Sequence, residues 1–209
     1  LMYGAVKMGM HFVALGPDEL KMDPEVVAYC KEEAAKSGGS LTITSNVDEA
    51  VKDAKLEEVN DVDPYKIGVV VSSAAGGFRT FEENHVRILE KGPNKCSPFT
   101  IPMMIVNMAS GRISMKYGFK GINKVVVSAC ATGTHSIGDA FRAIQYGDAD
   151  IMVAGGCEAT ICDVGIGAFS SARTLSKRND EPQKASRPWD IDRDGFVMSE
   201  GAGVLVLEE

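Results

Sequence analysis

The sequence has no apolar run approaching the roughly 18–20 residues a bilayer-spanning helix needs, so no membrane span is expected. Residues 1–10 are mildly apolar but lack the charged n-region and small-residue cleavage site of a secretory signal. Positive charge is not in excess. The formal net charge is −7, which disfavours nucleic acid or an anionic membrane surface as a partner. The five cysteines, Cys30, Cys96, Cys130, Cys157 and Cys162, are odd in number and show no CxxC spacing. That usage argues against a disulfide framework or a zinc site and fits a reducing compartment, so a cytoplasmic location is expected. Repeats, coiled-coil heptads and low-complexity tracts are also missing. Histidine is scarce, represented only by His11, His85 and His135.

What is present fits an ordinary folded protein. The chain has 209 residues, 44% apolar and 24% charged, enough for one sizeable core or two small ones. Residues 10–16 read as a buried strand ended by Gly16. Asp23-Pro24 starts a helix over 25–36 that places Val26, Val27, Cys30 and Ala34 on one face before Gly38-Gly39. A short strand at 41–44 and a helix through Ala54 complete a unit expected to be parallel α/β.

Beyond about residue 55 the pattern predicts a strand at 67–73, a small-residue turn Ala74-Ala75-Gly76-Gly77, and a helix near 81–91 capped by Thr80. It then predicts a helix over 103–117, a central strand at 124–129 and a helix at 134–146. Strands at 150–156 and 204–207 follow, with a polar, exposed loop at 176–188 between them. Both ends of the chain read as cuts through folded material: it opens on Leu1 and stops just after the apolar run 204–207.

The segment Val127-Ser128-Ala129-Cys130-Ala131-Thr132-Gly133 carries the chemistry. A thiol between an apolar strand and a helix start meets exposed N–H groups and the positive end of the helix dipole. Both favour the thiolate, the reactive species. Small neighbours leave room for a carbonyl to approach, and the Cys130 N–H could donate to an oxyanion. Position alone leaves two readings open, a nucleophile and a buried structural cysteine.

Residues 56–209 resemble the first half of a type II β-ketoacyl-[acyl-carrier-protein] synthase. The resemblance rests on Ser97-Pro98-Phe99, Ile101-Pro102-Met103-Met104, the Cys130 segment, Gly147-Asp148-Ala149-Asp150, Ala154-Gly155-Gly156, Arg187-Pro188-Trp189-Asp190 and Asp192-Arg193-Asp194-Gly195-Phe196. It implies an acyltransferase of fatty acid biosynthesis in which Cys130 takes an acyl chain from a carrier-protein thioester. Decarboxylated malonyl-carrier protein would then attack the acyl-enzyme. It implies further that the turn with Ala75 and Gly76 gates an acyl pocket, and that Phe99 and Thr100 line it toward a dimer partner. Cys157 and Cys162 are expected in the core, Phe196 in packing, and His135 on a helix surface or in packing.

The resemblance implies no metal or organic cofactor. The partners it implies are acyl carrier protein, malonyl and acyl thioesters, and a second copy of the chain in a homodimer. The family's paired catalytic histidines lie in its second half, so condensation on this chain alone would be incomplete. The alternative is a chimeric or truncated scaffold that turns nothing over.

Residues 1–54 instead resemble an internal piece of an ornithine carbamoyltransferase. That likeness is carried by the stretch from Leu1 to Met10, Gly16-Pro17-Asp18-Glu19-Leu20, Thr42-Ile43-Thr44 and Glu49-Ala50-Val51-Lys52-Asp53-Ala54. Its carbamoyl-phosphate motif is absent, so carbamoyl transfer is not expected. The expected organisation is therefore a short parallel α/β unit at 1–54, then at 55–209 half of the thiolase-like layered α/β/α fold.

Overall fold

The computed structural model describes residues 6–7, 9, 11–15, 24–44 and 62–208. At its front, β1 (His11–Leu15) pairs in parallel with β2 (Ser40–Thr44) through α1 (Pro24–Ser37). A parallel pair needs such a crossover. Cys30 and Ala34 of α1 are buried with Val6 and Leu41, and half-buried Val26 packs beside them. The helix expected through Ala54 lies outside the described residues.

The second sheet has the order β3-β4-β5. β3 (Ile67–Ser72) runs parallel to β4 (Ile151–Glu158), and β5 (Gly201–Glu208) runs antiparallel to β4. All six residues of β3 are buried, so both faces of the sheet are covered. Alternation divides them. Ile67, Val69 and Val71 meet Ile151, Val153 and Phe119, with Ile113 and Tyr117 of α4 (Met108–Tyr117) behind. Val70 meets Met152 and Ala154 on the other face, under Ala140 and Ala143 of α5 (Thr132–Gln145). The alanines let α5 lie close. The result is α4, sheet and α5 in three layers.

Several expected elements shift. The helix placed at 81–91 is α2 (Phe78–Lys91), whose N-cap is Gly77, so Thr80 stands inside the first turn rather than capping it. The helix expected over 103–117 is broken into α3 (Thr100–Met104) and α4, because Ile105 is extended at ψ 139°. α6 (Asp163–Ser171) was not anticipated.

The expected central strand at 124–129 is not a strand. Only a bridge between Val69 and Asn123 joins it to β3. Beyond the bridge, hydroxyl side chains replace the ladder. Ser110 Oγ accepts the Val71 N–H (2.8 Å) and bonds the carbonyls of Val71 and Lys124, and Ser72 Oγ accepts the Val126 N–H (3.1 Å). The segment thus lies along β3 through side chains, which strand propensity does not foresee.

Candidate active site

Cys130 lies in a tight 3-10 turn, Ala129–Ala131, that runs directly into α5. The turn is sharp. Ala129 has φ +50°, a left-handed conformation that costs an L-residue about 1–3 kcal/mol unless its surroundings enforce it. Here they do. Ser128 N–H donates to Thr132 Oγ1 (2.9 Å), and Ala131 N–H donates to the Ser128 carbonyl (3.1 Å). The hydroxyl of Ser128 bonds His135 Nδ1 at 2.6 Å. One turn further along α5, buried Ser136 bonds the Ser72 hydroxyl at 2.8 Å and the Thr132 carbonyl at 2.9 Å, tying the helix start to β3. Cys130 is exposed, which removes the buried structural reading left open by the sequence. Ala131, the N-cap of α5, makes no side-chain cap, and the first N–H of the helix, that of Thr132, is taken by the Ala129 carbonyl.

The start of α5 also touches β4. A Cβ added to Gly133 would lie 3.6 Å from the Gly156 Cα, and one added to Gly156 would lie 3.0 Å from the Gly133 Cα. Immediately after Gly156, Cys157 and Glu158 enter the wall of an open cleft of about 570 Å³. The apolar side of this cleft comes from Met103, Ile105, Val106 and Met108, and Gly76 and Gly77 close another side. The glycines are required there. Gly76 has φ +68°, and a Cβ at either position would run into the carbonyl of Met104 or Met103.

Of the residues expected at the site, Gly76 borders this cleft, whereas Cys130, Ala75, Phe99 and Thr100 do not; the start of α5 reaches the cleft only through the Gly133–Gly156 contact beside Cys157. Phe99 is 66% exposed. Thr100 begins α3 and donates from Oγ1 to the Ser97 carbonyl at 2.7 Å. Cys157, expected in the core, packs half-buried against the Val69 and Val153 cluster and also forms part of the cleft wall. Its thiol is pushed up from the ordinary range by burial first and by the neighbouring Glu158 charge second. Cys162 is buried, as expected. Phe196 packs edge-on against Phe169 with ring centres 5.3 Å apart.

His85 is exposed and stacks on Phe81 within α2. His135 is exposed on the surface of α5, as expected, and its Nδ1 bonds the hydroxyl of Ser128. Sequence reasoning missed Thr132, Ser72, Ser136 and Glu158. The available signal was a hydroxyl inside an apolar helix or strand and a carboxylate ending one. Among the described residues no group of three or more His, Cys, Asp or Glu side chains gathers to hold a metal ion. No helix of the described residues is long and apolar enough to cross a membrane.

Comparison with known proteins gives this site its context. The family model described as "Beta-ketoacyl synthase, N-terminal domain" matches residues 14–209, beginning well ahead of the boundary expected at residues 54–55. The chain is 52% identical over 161 residues to the 3-oxoacyl-[acyl-carrier-protein] synthase 2 of Vibrio cholerae, covering 77% of this chain and 39% of the relative. It is also 52% identical over 163 residues to the mitochondrial 3-oxoacyl-[acyl-carrier-protein] synthase of Arabidopsis thaliana, covering 78% of this chain and 35% of the relative.

Among solved structures, a β-ketoacyl synthase from Burkholderia phymatum is similar at TM-score 0.67 and 31% identity, over 77% of this chain and 39% of that one. The ketosynthase complex AntDE:AntF, described as a type II acyl-carrier protein in complex with its ketosynthase, is similar at TM-score 0.72 and 28% identity. It covers 96% of this chain and 47% of that one. The chain therefore spans under two fifths of the length of these curated relatives. The mixed α/β fold is that of the N-terminal half of a ketosynthase. The chain belongs to the β-ketoacyl synthase family, as its N-terminal domain.

Proposed function

We propose that the chain carries the acyl-accepting half of a β-ketoacyl-[acyl-carrier-protein] synthase of fatty acid biosynthesis, with Cys130 as the nucleophile. One observation carries the proposal: an exposed thiol held on a left-handed turn at the mouth of α5. Its sulfur attacks the carbonyl carbon of an acyl thioester. A C–S bond to Cys130 forms as the C–S bond to the carrier breaks, and the carrier thiol leaves with the cysteine's proton. The N–H of Cys130 is the donor for the oxyanion that develops. Met103, Ile105, Val106 and Met108 give the cleft an apolar side against which an acyl chain could lie, in a lining that also includes Arg79, Glu158 and Glu200.

The partners of this reading are acyl carrier protein and its malonyl and acyl thioesters, in the cytoplasm. A second copy would pair along residues 124–128, where Val127 is 53% exposed, and Phe99 and Thr100 would meet its pocket. The gating role stays with the turn that holds Ala75 and Gly76. The step as written uses no metal or organic cofactor. Condensation needs a group to drive decarboxylation of the malonyl unit; His85 is stacked on Phe81 and His135 Nδ1 is engaged by the Ser128 hydroxyl. That group belongs to the second half of the family fold.

Residues 1–54 are proposed as a separate, carbamoyltransferase-like unit. What supports a separate unit is its own two-stranded sheet; the ketosynthase family match, which begins at residue 14, argues for its inclusion in the ketosynthase half instead.

The test is mass spectrometry after incubation with octanoyl-coenzyme A. An adduct confined to Cys130 is expected. No adduct, or equal adducts on the other cysteines, would favour the inactive scaffold.

A further inference from the structure

The carboxylate of Glu158 organises the turn that forms one wall of the cleft. Glu158 is the last residue of β4, half-buried, and 83–85 residues away in sequence from the turn it binds. Its Oε1 accepts from Ser73 Oγ at 2.8 Å, and its Oε2 accepts the N–H groups of Ala74 and Ala75, each at 3.0 Å. The Ser73 hydroxyl in turn accepts the Gly76 N–H at 2.7 Å. Residues 73–76 are thus tied, directly or through one hydroxyl, to a single carboxylate. From the other side Gly77 N–H donates to the Met104 carbonyl at 3.0 Å.

Successive N–H groups pointing to one side form a concavity that an anion fills. Removing the anion would leave the half-buried N–H groups of Ala74 and Ala75 without their acceptor, and an unmet donor is costly. The turn would then rearrange to reach water or other acceptors. Because Gly76 and Gly77 are cleft wall, the opening would change shape with it. Within the cleft wall, three donors cover the carboxylate.

We propose that Glu158 is a positioning residue that fixes the turn at 73–77 and thereby sets which acyl-chain lengths the cleft admits. The proposal rests on the reading of Cys130 as the acyl acceptor.

The test compares Glu158→Ala, Glu158→Gln and Ser73→Ala in the full chain, with two readouts. Hydrogen exchange follows the peptide covering 73–77. Peptide mass spectrometry follows the ratio of Cys130 acylation by octanoyl- and palmitoyl-coenzyme A. Glu158→Ala is expected to speed exchange at Ala74 and Ala75 by about tenfold or more. It is also expected to change the octanoyl-to-palmitoyl ratio by about threefold or more. Glu158→Gln keeps an oxygen for both amides and should stay near the parent in both readouts. Ser73→Ala, which spares the carboxylate, should loosen the same peptide to a lesser degree and serves if Glu158→Ala unfolds.

An unchanged ratio together with unchanged 73–77 exchange, while Cys130 still acylates, overturns the assignment to Glu158 and leaves the function standing. A parent protein that forms no adduct at Cys130 overturns the function, and the selectivity assigned to Glu158 falls with it.

Discussion

The crossing of Gly133 and Gly156 offers a sharp test of how Cys130 is seated, because the contact is tight from one side only. A Cβ on Gly156 would sit 3.0 Å from the Gly133 Cα and 3.4 Å from its nitrogen, both backbone atoms that no rotamer change can move. Neither glycine has a φ in the left-handed region, so alanine is conformationally acceptable at each and only the space differs. Gly156→Ala must push the first turn of α5 off β4. That stretches the Ser136–Ser72 bond and the Ser128–Thr132 bond behind the nucleophile.

Overpacking of this kind costs about 1–3 kcal/mol. At about 2–4 °C per kcal/mol for a chain of this size, the melting temperature should fall by about 2–12 °C. Gly133→Ala meets Gly156 at 3.6 Å, an ordinary contact, and replaces glycine inside a helix. It should be neutral or stabilising by up to about 1 kcal/mol. Thermal melts followed by circular dichroism measure both, and the alkylation rate of Cys130 reports the turn directly. Opposite signs are expected, with the Cys130 rate altered only by Gly156→Ala. Equal effects, or a larger loss from Gly133→Ala, would refute the packing argument.

Three other outcomes are expected. Ser110 is fully buried and serves backbone groups of Val71 and Lys124, so Ser110→Ala should cost about 1–3 kcal/mol in urea unfolding, and a silent variant would contradict the role given to it. Iodoacetamide at neutral pH should modify exposed Cys130 first and buried Cys30 and Cys162 last. Cys157 should lag behind its exposure, because its raised thiol ionises only at higher pH, and peptide mass spectra showing uniform labelling would count against this order. Glu82 of α2 accepts the Val164 N–H at 2.8 Å, and that bond, ahead of lesser contributions from Cys162, Asp163 and Arg79, holds its carboxyl below the usual range. A lowered folded value means its stabilisation is present above the ordinary glutamate pKa of about 4.3 and is lost as pH falls through the lowered one. Glu82→Gln should therefore flatten the acid limb of a urea-midpoint profile, and parallel profiles would exclude the contribution.

Legibility in the sequence followed how local each cause was. β3 and β4 were visible because both faces of the sheet are covered and the strands read as continuous apolar runs ended by small residues. α5 was visible as the helix following the apolar segment at 124–129, and Cys130 from the small residues around it. The 124–128 segment misled because Val125, Val126 and Val127 carry strand propensity, while the partners that decide its conformation, Ser72 and Ser110, lie far away in sequence. Thr80 looked like a cap because threonine often is one, yet the chain had already turned at Gly76, whose left-handed φ starts the helix earlier. α6 was hidden by its glycines, which lower helix propensity, and its N-terminus is served by Glu82 from another helix.

The same distinction between local and distant causes separates the nucleophile from its surroundings. Cys130 is presented by its own neighbours in sequence: Ala129 accepts the left-handed turn, Thr132 and Ser128 brace it, and α5 begins at once. The cleft, by contrast, joins residues from 73 to 201, and its shape depends on a carboxylate at 158 reaching back to a turn at 74–75. A motif can therefore announce the chemistry of this chain while saying little about what the cleft admits. Substitutions near Cys130 should alter whether an acyl chain is taken, and substitutions at Glu158 or in the turn it binds should alter which chain is taken. Kinetics of Cys130 acylation across a series of chain lengths would separate the two classes, and a single common effect on all lengths from Glu158→Ala would show that the division is false.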